Sequence, residues 1–174
     1  MQGKKRRPPR SRSLSRRPIP EYIDGGRVCD IFAVDYRIVE RMARSGLFRW
    51  RDCEESPRKQ VQVHYQSLVD FCDRLREQYK IADRRPMLSA PNSRHRDEDL
   101  PPFPLRDSIP ALTAMWTLGF YKKSTWPLHL IEEGHFDAYR LFPEDQWRIS
   151  RSSLEAFIDR SRRGDGSLPV FSHP

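Results

Sequence analysis

Apolar residues recur at helical spacing in two separate stretches of this chain, with polar, proline-containing sequence between and around them. In the first stretch Val28, Ile31 and Phe32 stand at i, i+3 and i+4, which predicts a short amphipathic helix. Asp35 then occupies an N-cap position. Ile38, Val39 and Met42 give the stripe of a second helix, which Gly46 closes as a C′ residue. Residues 48–63 alternate around a charged, Pro-containing tip from Asp52 to Lys59, which predicts a β-hairpin. Leu68, Phe71, Cys72 and Leu75 repeat at i, i+3, i+4 and i+7 and predict a last helix. The order is helix, turn, helix, hairpin, helix.

The second stretch repeats that order. Leu112, Met115 and Trp116 mark its first helix. Leu128 and Ile131 mark its second, which Gly134 ends. Pro127 is tolerated in a first helical turn, so this helix is expected to start near Thr125. Residues 139–149 predict a hairpin around Pro143 to Asp145. Leu154, Phe157 and Ile158 mark the last helix, with Ser150 as its N-cap. The repeat is also visible residue by residue. Ser67, Leu68, Phe71, Asp73 and Arg74 match Ser153, Leu154, Phe157, Asp159 and Arg160 without a gap, at an offset of 86. Gly46 and Phe48 match Gly134 and Phe136 at an offset of 88.

Composition and charge add the flanks. Residues 1–20 hold Lys4, Lys5, Arg6, Arg7, Arg10, Arg12, Arg16 and Arg17 and no acid, which accounts for the whole net charge of +8. They read as a disordered basic arm. Residues 81–107 are rich in Pro, Arg and Asp and read as a Pro-rich linker. Residues 164–174 read as a disordered tail. The expected domains are therefore 21–80 and 108–163, mainly α with small β-hairpins, an α+β class. A cationic arm beside neutral domains suits a partner with a dense anionic surface, nucleic acid first, because each neutralised phosphate releases a counterion.

This order of elements resembles the excisionase/MerR-like winged helix-turn-helix family. Leu118-Gly119-Phe120, then Leu130-Ile131-Glu132-Glu133-Gly134-His135-Phe136, then Trp147-Arg148-Ile149 followed by Leu154-Glu155-Ala156-Phe157 carry the likeness in the second stretch. Phe32-Ala33-Val34 and Asp35 to Gly46 carry it in the first. The likeness covers roughly 115 of the 174 residues. It implies two tandem winged helix-turn-helix domains that bind double-stranded DNA. A recognition helix would enter the major groove and a wing would lie along phosphates. On that scaffold Tyr36, Arg37, Arg41 and Arg44 occupy the outward faces of the first recognition helix. Arg49, Arg51, Arg58 and Lys59 populate its wing. The planar fork of Arg suits guanine O6/N7 or a phosphate. In the second copy Lys122, Lys123, Ser124, Thr125 and His129 line the turn and helix start, and Arg140, Arg148 and Arg151 flank the wing. That copy departs from the family pattern in a longer turn and in Pro127, Glu132 and Glu133. It is therefore also read as a surface for dimerisation or protein contact.

Other chemistry finds little in the residues. Cys29, Cys53 and Cys72 are odd in number and form no C-x-x-C pair, which argues against a disulfide framework or a structural zinc and for a reducing cytoplasm. No histidine has an H-x-x-x-H partner. No P-loop or G-x-S-x-G occurs, so neither catalysis nor a cofactor or metal is expected. Asp97-Glu98-Asp99 reads as a solvated acidic patch. Trp116, Trp126 and Trp147 read as core or edge packing. No apolar run is long enough for a membrane span, and no secretory signal follows the basic start. The resemblance implies an excision or transcription role beside a recombinase, integrase or RNA polymerase, with homo-oligomerisation on DNA. Two other readings remain open: a phage DNA-packaging recognition subunit of the small-terminase type, and a protein-interaction adaptor whose arm binds RNA or an acidic partner.

Overall fold

The computed structural model describes residues 20–54, 60–81, 97–120 and 125–164. Its first half runs β1 (Tyr22–Asp24), α1 (Gly25–Phe32), α2 (Tyr36–Arg44), β2 (Trp50–Asp52), β3 (Val61–His64) and α3 (Tyr65–Gln78). Its second half runs β4 (Ser108–Pro110), α4 (Ala111–Thr117), α5 (Trp126–Glu132), β5 (Ala138–Tyr139), β6 (Arg148–Ser150) and α6 (Arg151–Arg163). Between them lie 3-10 turns at Asp97–Asp99 and Leu105–Asp107. The class is mixed helix and small antiparallel sheet. Among the described residues no helix is long and apolar enough to cross a membrane.

Each half folds one three-stranded antiparallel sheet, in the orders β1-β3-β2 and β4-β6-β5. Ile23 and Trp50 pair with Val63 in the first sheet, and Ile109 and Ala138 pair with Ile149 in the second. Strands β1 and β4 are additions to the order that periodicity predicts. Three residues are too few to show alternation. Pro110 is accommodated because it ends an edge strand, where a missing N–H costs no ladder bond.

The repeated residues do the same work twice. The His64 Nδ1 and the Ser150 hydroxyl each cap a helix by accepting the backbone N–H of Ser67 and Ser153. The hydroxyls of Ser67 and Ser153 in turn accept the N–H of Arg49 (2.9 Å) and Asp137 (2.8 Å), tying helix to sheet. Arg74 and Arg160 each donate to a loop carbonyl, Leu47 and His135. Phe48 meets Phe71 edge-on at 5.9 Å, as Phe136 meets Phe157 at 5.7 Å. After the first helix Ala33 (φ 49°) and Gly119 (φ 79°) both turn left-handed. The alanine bears a penalty of about 1 kcal/mol there that the glycine avoids.

The cores are unequal. The first buries Phe32, Val39, Met42, Val63, Leu68 and Cys72 completely, and adds Leu100, Phe103, Tyr139 and Leu141 from beyond residue 81. Residues 97–107, expected as linker, are thus packed. Asp97 pairs with Arg27 of α1 at 2.5 Å, so the expected acidic patch is partly an anchor. The half-buried Arg76 of α3 donates to the carbonyls of Asp99 (2.6 Å), Leu100 and Pro101 while pairing with Asp73 at 3.1 Å. A unit of some sixty residues encloses little volume, so apolar groups recruited from outside close it. Leu100 and Phe103 stand among prolines with no neighbouring periodicity, which hides them in the sequence.

The second core is smaller and includes Ala114, Leu130, Ile149, Leu154 and Phe157. The predicted stripe of α6 faces this core and Ile131 of α5 packs on it, but Leu112, Trp116 and Leu128 turn outward. Ala114 is the buried residue of α4, whereas Leu112 and Trp116 are 41% and 59% exposed. In α5 Leu130 is buried and Leu128 is exposed. Helical spacing defines a face but does not say which face turns inward. The start of α4 is fixed by the β4–β6 ladder, where the Ala111 N–H donates to the Trp147 carbonyl.

Substituting Arg76→Ala removes the guanidinium that pairs with the buried Asp73 and frees the carbonyls of residues 99–101. It should cost about 3 kcal/mol in denaturant unfolding and open residues 97–103 to proteolysis, whereas Arg74→Ala should cost about 1 kcal/mol. The Tyr139 hydroxyl is buried without a hydrogen-bond partner among the described residues. Tyr139→Phe should therefore leave stability unchanged or raise it by about 1 kcal/mol.

Candidate nucleic-acid interface

Helix α2 has a sharp division of faces. Val39, Met42 and Ala43 are fully buried, while Arg37, Arg41 and Arg44 are exposed. Glu40, also on this helix, pairs with Arg44 at 2.6 Å across one turn, a contact that leaves the Arg44 side chain 65% exposed. The Arg41 guanidinium stands 5.7 Å from the ring of Phe142, a second-half residue packed on the first core. Among the described residues Arg37 has no hydrogen-bond or ion-pair partner. A cleft of about 850 Å³ separates the α1–α2 turn, at Val34, Asp35 and Ile38, from Trp147 and Arg148.

Tyr36 departs from its expected place on the outward face. Its hydroxyl accepts the Val61 N–H, and its ring lies so close to Gly25 that a Cβ there would sit 2.8 Å from the Tyr36 Cε2. Tyr36 is a joint between α1, α2 and β3. The glycine is required because the ring occupies the space of a side chain.

Strand β2 is an edge strand of its sheet. Arg51 is exposed on it, with its guanidinium 4.0 Å from the centre of the Tyr22 ring and its Nε donating to Gln62. Arg49 uses its backbone to join β3 and α3 and leaves its side chain exposed. Arg58 and Lys59 lie outside the described residues, as do the whole basic arm and Lys122, Lys123 and Ser124.

Among the described residues, the α5 start and the hairpin of the second half expose little positive charge. Thr125 sits exposed at the N-cap of α5, and the exposed His129 has its Nδ1 3.7 Å from Glu132. Glu133 engages His135 at 2.9 Å. Arg140 and Arg148 turn inward. Arg140 donates to the Pro143 carbonyl and stacks 5.0 Å over Trp147, while Arg148 is held by Asp145 and lies over Tyr139. The segment between β5 and β6 packs on the first core, where Asp145 partners the Arg148 charge, whereas the Arg140 Nε is buried with no hydrogen-bond partner among the described residues. The spacing Asp145-x-x-Arg148 is the sequence signal that could have shown this. Arg151 stays exposed at the start of α6. Trp147 packs edge-on against Tyr79 at 5.4 Å, whereas Trp116 is largely exposed. The Trp126 side chain is outside the described set.

Three buried groups of the first core are held neutral. Burial pushes the Tyr65 hydroxyl up to about 12, with the Asp97 carboxylate adding to the effect. Burial likewise raises the Cys72 thiol and the Tyr139 hydroxyl well above their ordinary values, each partly opposed by a nearby arginine.

No protein-family model, curated protein or solved structure matches the chain.

All three raised groups are acids whose neutral form the fold favours. Their stabilising effect is complete below the ordinary values of 9.0 for Cys and 10.0 for Tyr, and is lost as pH rises above them. Denaturant unfolding at pH 7 and 8 should give equal stabilities. Above pH 9 stability should fall by about 1.4 kcal/mol per pH unit for each group whose unfolded form has ionised. A flat profile to pH 11 would contradict the assignment.

Proposed function

We propose that each half is a winged helix-turn-helix unit and that the chain is a non-catalytic, cytoplasmic DNA-binding protein. The observation that carries this reading is the face of α2, where Arg37, Arg41 and Arg44 project from a helix anchored by fully buried Val39, Met42 and Ala43. A helix is the right width for the major groove, and an arginine fork reads guanine through two bonds at once. Arg49 and Arg51 would contact phosphates beside it, and residues 1–17 would add sequence-independent attraction.

The second half takes a different part in this reading. The register that places Met42 opposite Leu130 sets His129 and Glu132 where the first half has Arg41 and Arg44. An acidic helix face repels a duplex. The exposed Leu112, Trp116 and Leu128 instead favour contact with protein, such as a recombinase, a polymerase or another copy of the chain.

Binding to duplex DNA, followed by anisotropy against a selected site and a random duplex, tests the proposal. Arg37→Ala with Arg41→Ala should weaken the selected site about 10- to 100-fold, the size of one or two lost base contacts, and the random duplex far less. Removing residues 1–17 should flatten the salt dependence by up to roughly seven log units of affinity per log unit of salt, with site preference kept. Equal losses on both duplexes, or no binding once the arm is gone, would refute base reading by α2.

A further inference from the structure

The surface that residues 97–103 cover on the first half stands open on the second. At the offset of 86, Phe32, Cys72, Leu75 and Arg76 correspond to Leu118, Ile158, Ser161 and Arg162. The first four are enclosed: Phe32, Cys72 and Leu75 are 0–3% exposed, and the Arg76 side chain is 12% exposed. Their counterparts are half-buried or exposed. They line a cleft of about 320 Å³ with Phe120, Leu130 and Phe157. The cleft is apolar on its floor and carries a guanidinium at its mouth.

What closes the first surface has a recognisable sequence. Asp97-Glu98-Asp99-Leu100-Pro101-Pro102-Phe103 places Leu100 and Phe103 in the core and presents the carbonyls of residues 99–101 to Arg76. The pattern D-x-x-L-P-x-F occurs again at Asp165-Gly166-Ser167-Leu168-Pro169-Val170-Phe171, just beyond α6. Four identities at one spacing, placed after the matching helix of the repeat, exceed what a loose apolar tail requires.

We propose that Leu168 and Phe171 fill the second-half cleft of their own chain as Leu100 and Phe103 fill the first, with Arg162 taking the carbonyls of residues 167–169. The reach is short. Helix α6 ends at Gly164, which is already left-handed (φ 71°) and so turns the chain back. Four residues then span up to about 13 Å, against two or three helical residues from Gly164 to Ser161 and Arg162. Asp165-Gly166 is a turn pair. Pro101 commits no N–H in the first segment, and Pro169 stands at the same place in the second motif.

Amide hydrogen exchange and methyl NMR on the full chain test this, with Leu168→Ser/Phe171→Ser and Arg162→Ala as variants. The amides of Val170 and Phe171 should exchange at least about tenfold slower than their unstructured rates. The tail variant should abolish that protection and shift the methyl signals of Leu118 and Ile158, leaving first-half signals in place. Arg162→Ala should reduce the protection. Unprotected tail amides together with unchanged Leu118 and Ile158 signals in the tail variant would overturn the proposal. Protection that disappears on dilution as a dimer dissociates would assign the cleft to another copy's tail and overturn the intrachain assignment.

Discussion

The structure depends on apolar side chains from one half closing the core of the other. Three short strands and three helices leave Phe32, Phe71, Cys72 and Leu75 with too little of their own to lie against. Leu100, Phe103, Tyr139 and Leu141 provide the missing contact. Phe103 and Tyr139 meet edge-on at 4.9 Å within that shared layer. Because the added layer is partly backbone, its carbonyls need donors, and Arg76 supplies them from within the interface. Its own charge is balanced by Asp73 on the preceding turn. Hydrophobic closure and the pairing of these carbonyls are thus handled by one pair of neighbouring elements.

Around that constraint the two halves keep their framework and differ in their surfaces. The serine that joins last helix to sheet, the arginine that fastens the helix to the loop before the hairpin, and the edge-on phenylalanine pair are all duplicated. What changes is whatever faces outward from the second helix and from the hairpin. Arginines stay exposed on α2, while those near β6 are turned onto Asp145, Trp147 and Tyr139. The proposed division of labour, with DNA on the first half and protein on the second, follows from that difference.

Much of this was legible in the sequence because helical spacing survives wherever a helix has an apolar floor. The stripes at Val28, Ile31 and Phe32, and at Leu68, Phe71, Cys72 and Leu75, all lie in the core. The capping role of Ser150 followed from its chemistry. Strands of three residues carry too few positions for a pattern, so β1 and β4 left no trace. The inward turn of Tyr36 was hidden because only the partner, Gly25, reveals the space its ring needs. Helices α4 and α5 misled for a different reason. Leu112, Trp116 and Leu128 are the largest apolar residues there, yet the small Ala114 is what fits beneath the sheet. Of the candidate interface, residue type marked the exposed arginines of α2 well. It could not separate them from Arg140 and Arg148, whose partners come from tertiary packing.

The placement of Tyr139 and Leu141 inside the first core also sets the mechanics of the pair. Swivelling one half against the other would expose both side chains to water, so the halves cannot behave as beads on a string. A long ligand touching both would meet them at a single separation and angle, with the orientational freedom already surrendered during folding. Such a rigid gauge rewards a ligand whose repeat matches its span and penalises one that is a few ångströms out of phase.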